Sequence, residues 1–146
     1  MPVATDQLTA AWETFFRTTR RLRSRAGKQL IEGLSLPQYH LLEPLREAGE
    51  LTVGLLAEAA GVAAPTATRM LDGLARDGYV ERRHSEADRR AVLISLTANG
   101  REAVEAAYEQ VTAWRRRVFE KLDPREREQA ARLLTRLSQV LEEQLS

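Results

Sequence analysis

The run Leu55-Leu56-Ala57-Glu58-Ala59-Ala60-Gly61-Val62-Ala63-Ala64-Pro65-Thr66-Ala67-Thr68-Arg69-Met70-Leu71 constrains the fold more than any other stretch. It reads as two short helices joined by a tight turn. Gly61 tolerates the unusual φ that such a turn demands. Ala57 puts a small residue where the helices cross, and Leu56, Ala60, Val62, Ala67 and Met70 face a core from both sides. Thr66, Thr68 and Arg69 fall on the opposite face, near the start of the second helix. An ordinary αα-hairpin uses similar residues. A helix-turn-helix uses them too, and there the N-terminal end of the second helix enters the major groove of DNA.

The next segment favours the second option. Tyr79 to His84 and Ala91 to Leu96 read as two strands, the latter with Val92, Ile94 and Leu96 on one face. Ser85-Glu86-Ala87-Asp88-Arg89-Arg90 forms a polar, basic tip between them. A hairpin with a basic tip, directly after a recognition helix, makes a wing whose arginines can enter the minor groove.

Helices are expected on both flanks. Leu8, Trp12, Phe15, Phe16, Thr19 and Leu22 recur at helical spacing, which predicts a long first helix over about Thr5 to Leu30. Ser35 to Ala48 reads as a second helix, opened by Pro37 and bent at Pro44. Leu51 to Val53 is a very short strand. The two helices of the central motif run from Leu55 to Ala60 and from Pro65 to about Asp77. Thr97 caps a helix to about Lys121, and Asp123-Pro124 opens the last helix. In that helix Ala130, Leu133, Leu134, Leu137, Val140, Leu141 and Leu145 form one apolar stripe.

Composition narrows the function classes. The chain has 146 residues, which points to a single domain. It contains no cysteine, so disulfides, thiol nucleophiles, cysteine-based zinc sites and thiol-peroxide sensing are excluded. Two histidines, His40 and His84, no phosphate-binding glycine loop and no cluster with metal-ligand spacing argue against an enzyme, a cofactor or a metal. No stretch approaches the ~18 continuous apolar residues of a membrane span. Met1 to Arg17 does not read as a secretory signal, so a cytoplasmic location is expected. The net charge of +1 gives little support for nucleic-acid binding; the clusters do more. They are Arg20, Arg21, Arg23, Arg25 and Lys28, then Arg82, Arg83, Arg89 and Arg90, then Arg115, Arg116 and Arg117. Each also fits a solvated face.

The order of elements and several short motifs together resemble the MarR (multiple antibiotic resistance regulator) family over nearly the whole chain. The motifs are Leu55-Leu56-Ala57 with Gly61-Val62, Pro65 to Asp72, Gly78-Tyr79-Val80-Glu81-Arg82, Asp88-Arg89-Arg90, and Leu96-Thr97 with Gly100-Arg101. The resemblance implies a mainly α fold, a winged helix-turn-helix with long N- and C-terminal dimerisation helices and a small β-hairpin wing. Residues 5–34 and 97–146 would form the dimer, and 35–96 the DNA-binding region, within one domain. It further implies a homodimer on palindromic double-stranded DNA. Such a regulator is expected to repress transcription and to be released by a small aromatic or phenolic ligand. One departure is Ala63-Ala64 where the family commonly has serine; a missing polar cap costs roughly 1 kcal/mol. Gly73 costs the same helix up to about 1 kcal/mol more. A helical dimer scaffold that has lost DNA binding is therefore the alternative.

Arg69 suits a bidentate contact to guanine or a contact to phosphate. Thr66 and Thr68 suit bases or phosphates, and Pro65 suits a thymine methyl or merely the helix start. Arg82, Arg83 and Arg89 are candidate phosphate contacts. By resemblance, Arg90 is the minor-groove arginine at the wing tip, and Asp72 braces the wing from the recognition helix. Asp88 would pair with Arg90 or with the hairpin backbone and so fix the arginine's direction. Trp12, Phe16, Tyr39, His40 and Trp114 either pack in the core and interface or line a ligand pocket.

Overall fold

Local capping signals set most helix boundaries in the computed structural model, which describes residues 2–26 and 33–146. Helix α1 spans Pro2–Ala26. The remainder of the predicted first helix, 27–30, and Lys28 with it, lie outside the described residues. Ser35 caps α2, Leu36–Leu42, in a reciprocal box with Gln38. The single helix expected over 35–48 is in fact two, because α3 restarts at Leu45–Ala48. Pro44 explains the break: it has no N–H to give to the helix, and its ring crowds the preceding turn.

Strand β1, Glu50–Thr52, follows. The Thr52 hydroxyl caps α4, Val53–Ala60, by accepting from the Leu55 N–H. Gly61 sits in the left-handed region, with φ +67° and ψ +32°, and turns the chain into α5, Ala64–Arg76. Leu56, Ala57, Ala67, Leu71 and Leu74 are buried where these helices pack. Strands β2, Val80–His84, and β3, Val92–Leu96, form the hairpin. With β1 they build an antiparallel sheet in the order β1-β3-β2. Val80 faces Leu96 and Arg82 faces Ile94, so the root of the wing belongs to the core and its outer end does not.

Helix α6 runs from Ala98–Glu120, and Thr97 caps it by accepting from the Gly100 N–H at 2.9 Å. Asp123 and Glu126 form a second reciprocal box at the start of α7, Pro124–Leu145. The chain divides into two units, residues 1–108 and 109–146. In the first, Leu34, Leu41, Leu42, Leu56, Leu71, Leu74, Ile94 and Val104 are fully buried. In the second, α7 buries none of its residues, and Leu133, Leu134, Leu141 and Leu145 stand about half or more exposed. No helix among the described residues is long and apolar enough to cross a membrane.

Candidate nucleic-acid interface

Helix α5 presents one polar face because its buried residues, Ala67, Leu71 and Leu74, all lie on the other. Pro65, Thr68 and Arg69 are exposed, and Thr66 is half-buried. The N-cap Ala63 makes no side-chain hydrogen bond, as alanine dictates. The Thr68 hydroxyl donates to the Ala64 carbonyl at 3.0 Å. Its single proton is thereby committed, and its oxygen remains an acceptor. Thr68 in this rotamer can take a hydrogen bond from a base amino group but cannot give one to a phosphate.

The wing is tied to this helix by Arg82, whose Nη2 lies 2.5 Å from Asp72 Oδ1. The bracing carboxylate expected at Asp72 thus has its partner, on the strand rather than at the tip. Both groups are well exposed, so the pair is worth about 1 kcal/mol at most. Arg83 reaches diagonally across β3 and grips Glu50 with two bonds, 2.6 and 2.7 Å. That grip holds the Glu50 carboxyl below the usual carboxylate range and raises the Arg83 guanidinium. Sequence reasoning missed Glu50, which lies 33 positions away on the opposite edge strand.

The tip, 85–90, is held by its own backbone and short polar side chains. Ser85 N–H donates to the Ala91 carbonyl, and Ala91 N–H to the Asp88 carbonyl, both at 3.0 Å. Ser85 Oγ accepts from the Ala87 and Asp88 N–H groups. Asp88 Oδ1 accepts from the Arg90 backbone N–H at 3.0 Å. Of the two partners considered for Asp88, the structure shows the hairpin backbone. His84 Nδ1 lies 2.9 Å from the Arg89 carbonyl, an anchor the sequence did not reveal. Arg69, Arg89 and Arg90 are exposed and make no ion pair among the described residues, whereas Arg82 and Arg83 are both engaged.

The five residues considered for a ligand pocket lie on α1, α2 and α6. Trp12 and Phe16 meet along α1 with ring centroids 4.7 Å apart and planes tilted by 41°, both well exposed. Tyr39 is a core residue, 3% exposed, with the exposed His40 ring 5.4 Å from its own. Trp114 lies in the second unit, 43% exposed. Open clefts at His84, Ser85, Glu86 and Arg89, and at Glu43, Pro44, Glu47, Ala48 and Leu51, include none of them.

A family model described as MarR family matches residues 34–92, the helix-turn-helix and most of the wing. The uncharacterized HTH-type transcriptional regulator YfiV of Bacillus subtilis is 37% identical over 109 residues, covering 75% of this chain and 68% of that protein. The chain belongs to the MarR family. Its winged helix-turn-helix is the regulator fold, and its relatives are transcriptional regulators, not enzymes. The likeness extends to both flanks: the HTH-type transcriptional regulator BilQ of Clostridium symbiosum is 29% identical over 140 residues, 96% of each chain. The crystal structure of the S. aureus MepR–DNA complex superposes with a TM-score of 0.76 at 26% identity, covering 89% of this chain and 97% of that one. This MarR-family chain is thus a DNA-binding transcriptional regulator by kinship as well as by fold.

Proposed function

We propose that the chain acts as a homodimer that reads a palindromic double-stranded operator and represses transcription until a small aromatic or phenolic ligand releases it. In this reading residues 35–96 bind DNA and residues 5–34 and 97–146 make the dimer. One observation carries the DNA face. Three exposed cations of this module that make no ion pair among the described residues, Arg69 on α5 and Arg89 and Arg90 at the wing tip, lie where a recognition helix and a wing meet the two grooves. Arg69 reads guanine, Thr68 accepts from a base, and Pro65 and Thr66 shape the approach. Arg90 enters the minor groove. Arg82 and Arg83 reach phosphate only by leaving Asp72 and Glu50, so Arg82 serves mainly to set the wing against α5 and Arg83 to tie β2 to β1.

The test is titration of a genomic fragment, selected by binding to the purified protein, at several salt concentrations. Arg69→Ala is expected to cost about 1–3 kcal/mol and to relax preference at one base pair. Arg90→Ala should weaken binding to most sequences and flatten the salt slope by about 1. Asp88→Ala is the discriminating variant. It removes a negative charge near DNA, so charge arithmetic predicts tighter binding. Because Asp88 fixes the Arg90 backbone, we expect weaker binding instead. If both arginine variants bind like the parent, the chain is a scaffold that does not use this face.

Release by ligand requires tighter binding to the DNA-incompatible form than to the compatible one. The exposed rings of Trp12 and Phe16 support an aromatic effector. A panel of phenols and aromatic acids should contain one that both stabilises the protein and weakens DNA binding. A panel with no such member removes this part of the reading.

A further inference from the structure

On β2, Val80, Arg82 and His84 share one face by the two-residue period of a strand. Arg82 reaches Asp72 of α5, so this is the face turned toward the recognition helix. His84 ends the row at the base of the tip, exposed, in an open cleft with Ser85, Glu86 and Arg89. Its Nδ1 lies 2.9 Å from the Arg89 carbonyl. A carbonyl only accepts, so Nδ1 must carry the proton. In the neutral ring Nε2 is then a bare lone pair, and it has no hydrogen-bond partner among the described residues. A phosphate oxygen also only accepts. Neutral His84 therefore has nothing to offer the DNA backbone, while the imidazolium offers an N–H and a charge.

The charged groups around this ring come in opposite signs. Glu86 and Arg89 line the cleft with opposite formal charges. Arg83, next on the strand, is tied to Glu50, and Arg82 is tied to Asp72 of α5. Asp88 keeps its charge while accepting from the Arg90 N–H, Arg90 carries the opposite charge at the same tip, and Val92, opposite on β3, carries none. The cleft is thus neutral with neutral His84 and cationic with the imidazolium.

We infer that His84 is a proton-dependent phosphate contact, so that operator binding takes up a proton at the wing and tightens on acidification. The Nδ1 anchor survives in both protonation states, so the wing keeps its shape and only the contact changes. The inference rests on the proposed DNA face. It is tested on the full chain with the same selected genomic fragment, between about pH 5.8 and pH 8. One added phosphate contact should tighten wild-type binding roughly fivefold at the acid end and steepen the salt slope there by about 0.9. In His84→Gln, whose amide donates without titrating, the acid-to-alkaline affinity ratio should fall to about one. His40→Gln, which replaces the only other histidine, should retain the wild-type ratio. A His84→Gln protein that keeps the full ratio, or a wild type with no ratio, overturns the inference. If Arg90→Ala also matches wild type at every pH, the DNA face itself has been misplaced. If Arg90→Ala weakens binding while the His84→Gln ratio is unchanged, only the role of His84 falls.

Discussion

Gly100→Ala is expected to cost about 3 kcal/mol or more, the upper range for forcing atoms into a packed site. Gly100 is buried in the first turn of α6, where that helix crosses the start of β2. A Cβ built on it overlaps the Tyr79 carbonyl oxygen and lies 2.8 Å from the Tyr79 carbonyl carbon. These are backbone atoms, which cannot turn aside as a side-chain end can. They are also fixed. Thr97 N–H donates to the same Tyr79 carbonyl at 3.1 Å, and the Thr97 hydroxyl donates to the Gly78 carbonyl at 2.6 Å. Relieving the overlap means moving α6 off the turn that joins α5 to β2, which breaks these bonds together. Urea unfolding followed by circular dichroism measures the loss. Gly73→Ala is the contrast: it lies inside α5, and its nearest neighbour is the flexible end of Arg76 at 3.8 Å. That variant should gain up to about 1 kcal/mol from helix propensity. A Gly100→Ala midpoint equal to wild type would show that the helix–turn crossing is looser than described.

The sequence exposed Gly100 only as part of a motif and gave no reason for it. Its role is a close approach between segments, and nothing local marks one. The features that could be read were those whose causes are local. Asp123 and Thr97 announce their helices because a cap acts within three residues. Gly61 announces its turn because only the backbone at that position matters. Pro44 was visible too, but whether a proline bends a helix or divides it depends on what the flanking turns pack against.

Long-range ion pairs were beyond reach. Arg83–Glu50 spans 33 positions and Arg46–Glu105 spans 59. Arg46 also lies 3.5 Å above the Tyr108 ring and holds the Glu105 carboxyl below its usual range. Charge patterning along the chain treats Arg69, Arg82, Arg83, Arg89 and Arg90 alike, as candidates for DNA. The structure separates them by what lies opposite. Arg83 faces Glu50 and Arg82 faces Asp72, whereas Arg69, Arg89 and Arg90 remain outward. At Asp88 the sequence left two partners open because both sit within two residues, a distance at which only rotamer and turn geometry decide.

Leu137→Asp is expected to abolish the soluble, folded protein, an effect larger than loss of any single DNA contact. Helix α7 carries its apolar residues on one stripe, yet none of them is buried in the isolated chain. Leu133 and Leu134 are 56% and 55% exposed, and Leu145 is 82% exposed. Fully burying a leucine contributes about 1.5–3 kcal/mol, so a stripe of this kind left in water forfeits much of the stability available to a small domain. Contiguous apolar surface on a helix marks a face that another surface covers. A second copy of the same stripe is self-complementary about a two-fold axis, which suits the proposed homodimer. Leu137 is half-buried at the middle of the stripe. An aspartate there would place an unpaired carboxylate in the proposed dimer seam, and no cation on the stripe could neutralise it. Sedimentation and circular dichroism should show aggregate or unfolded chain rather than a stable monomer. Leu137→Ala removes packing without adding charge and should cost about 2–5 kcal/mol. Its melting temperature, like that of the wild type, should rise with protein concentration, because association and folding are linked. A wild-type chain that sediments as a well-folded monomer at micromolar concentration would defeat the argument, as would a Leu137→Asp protein that melts and sediments like its parent.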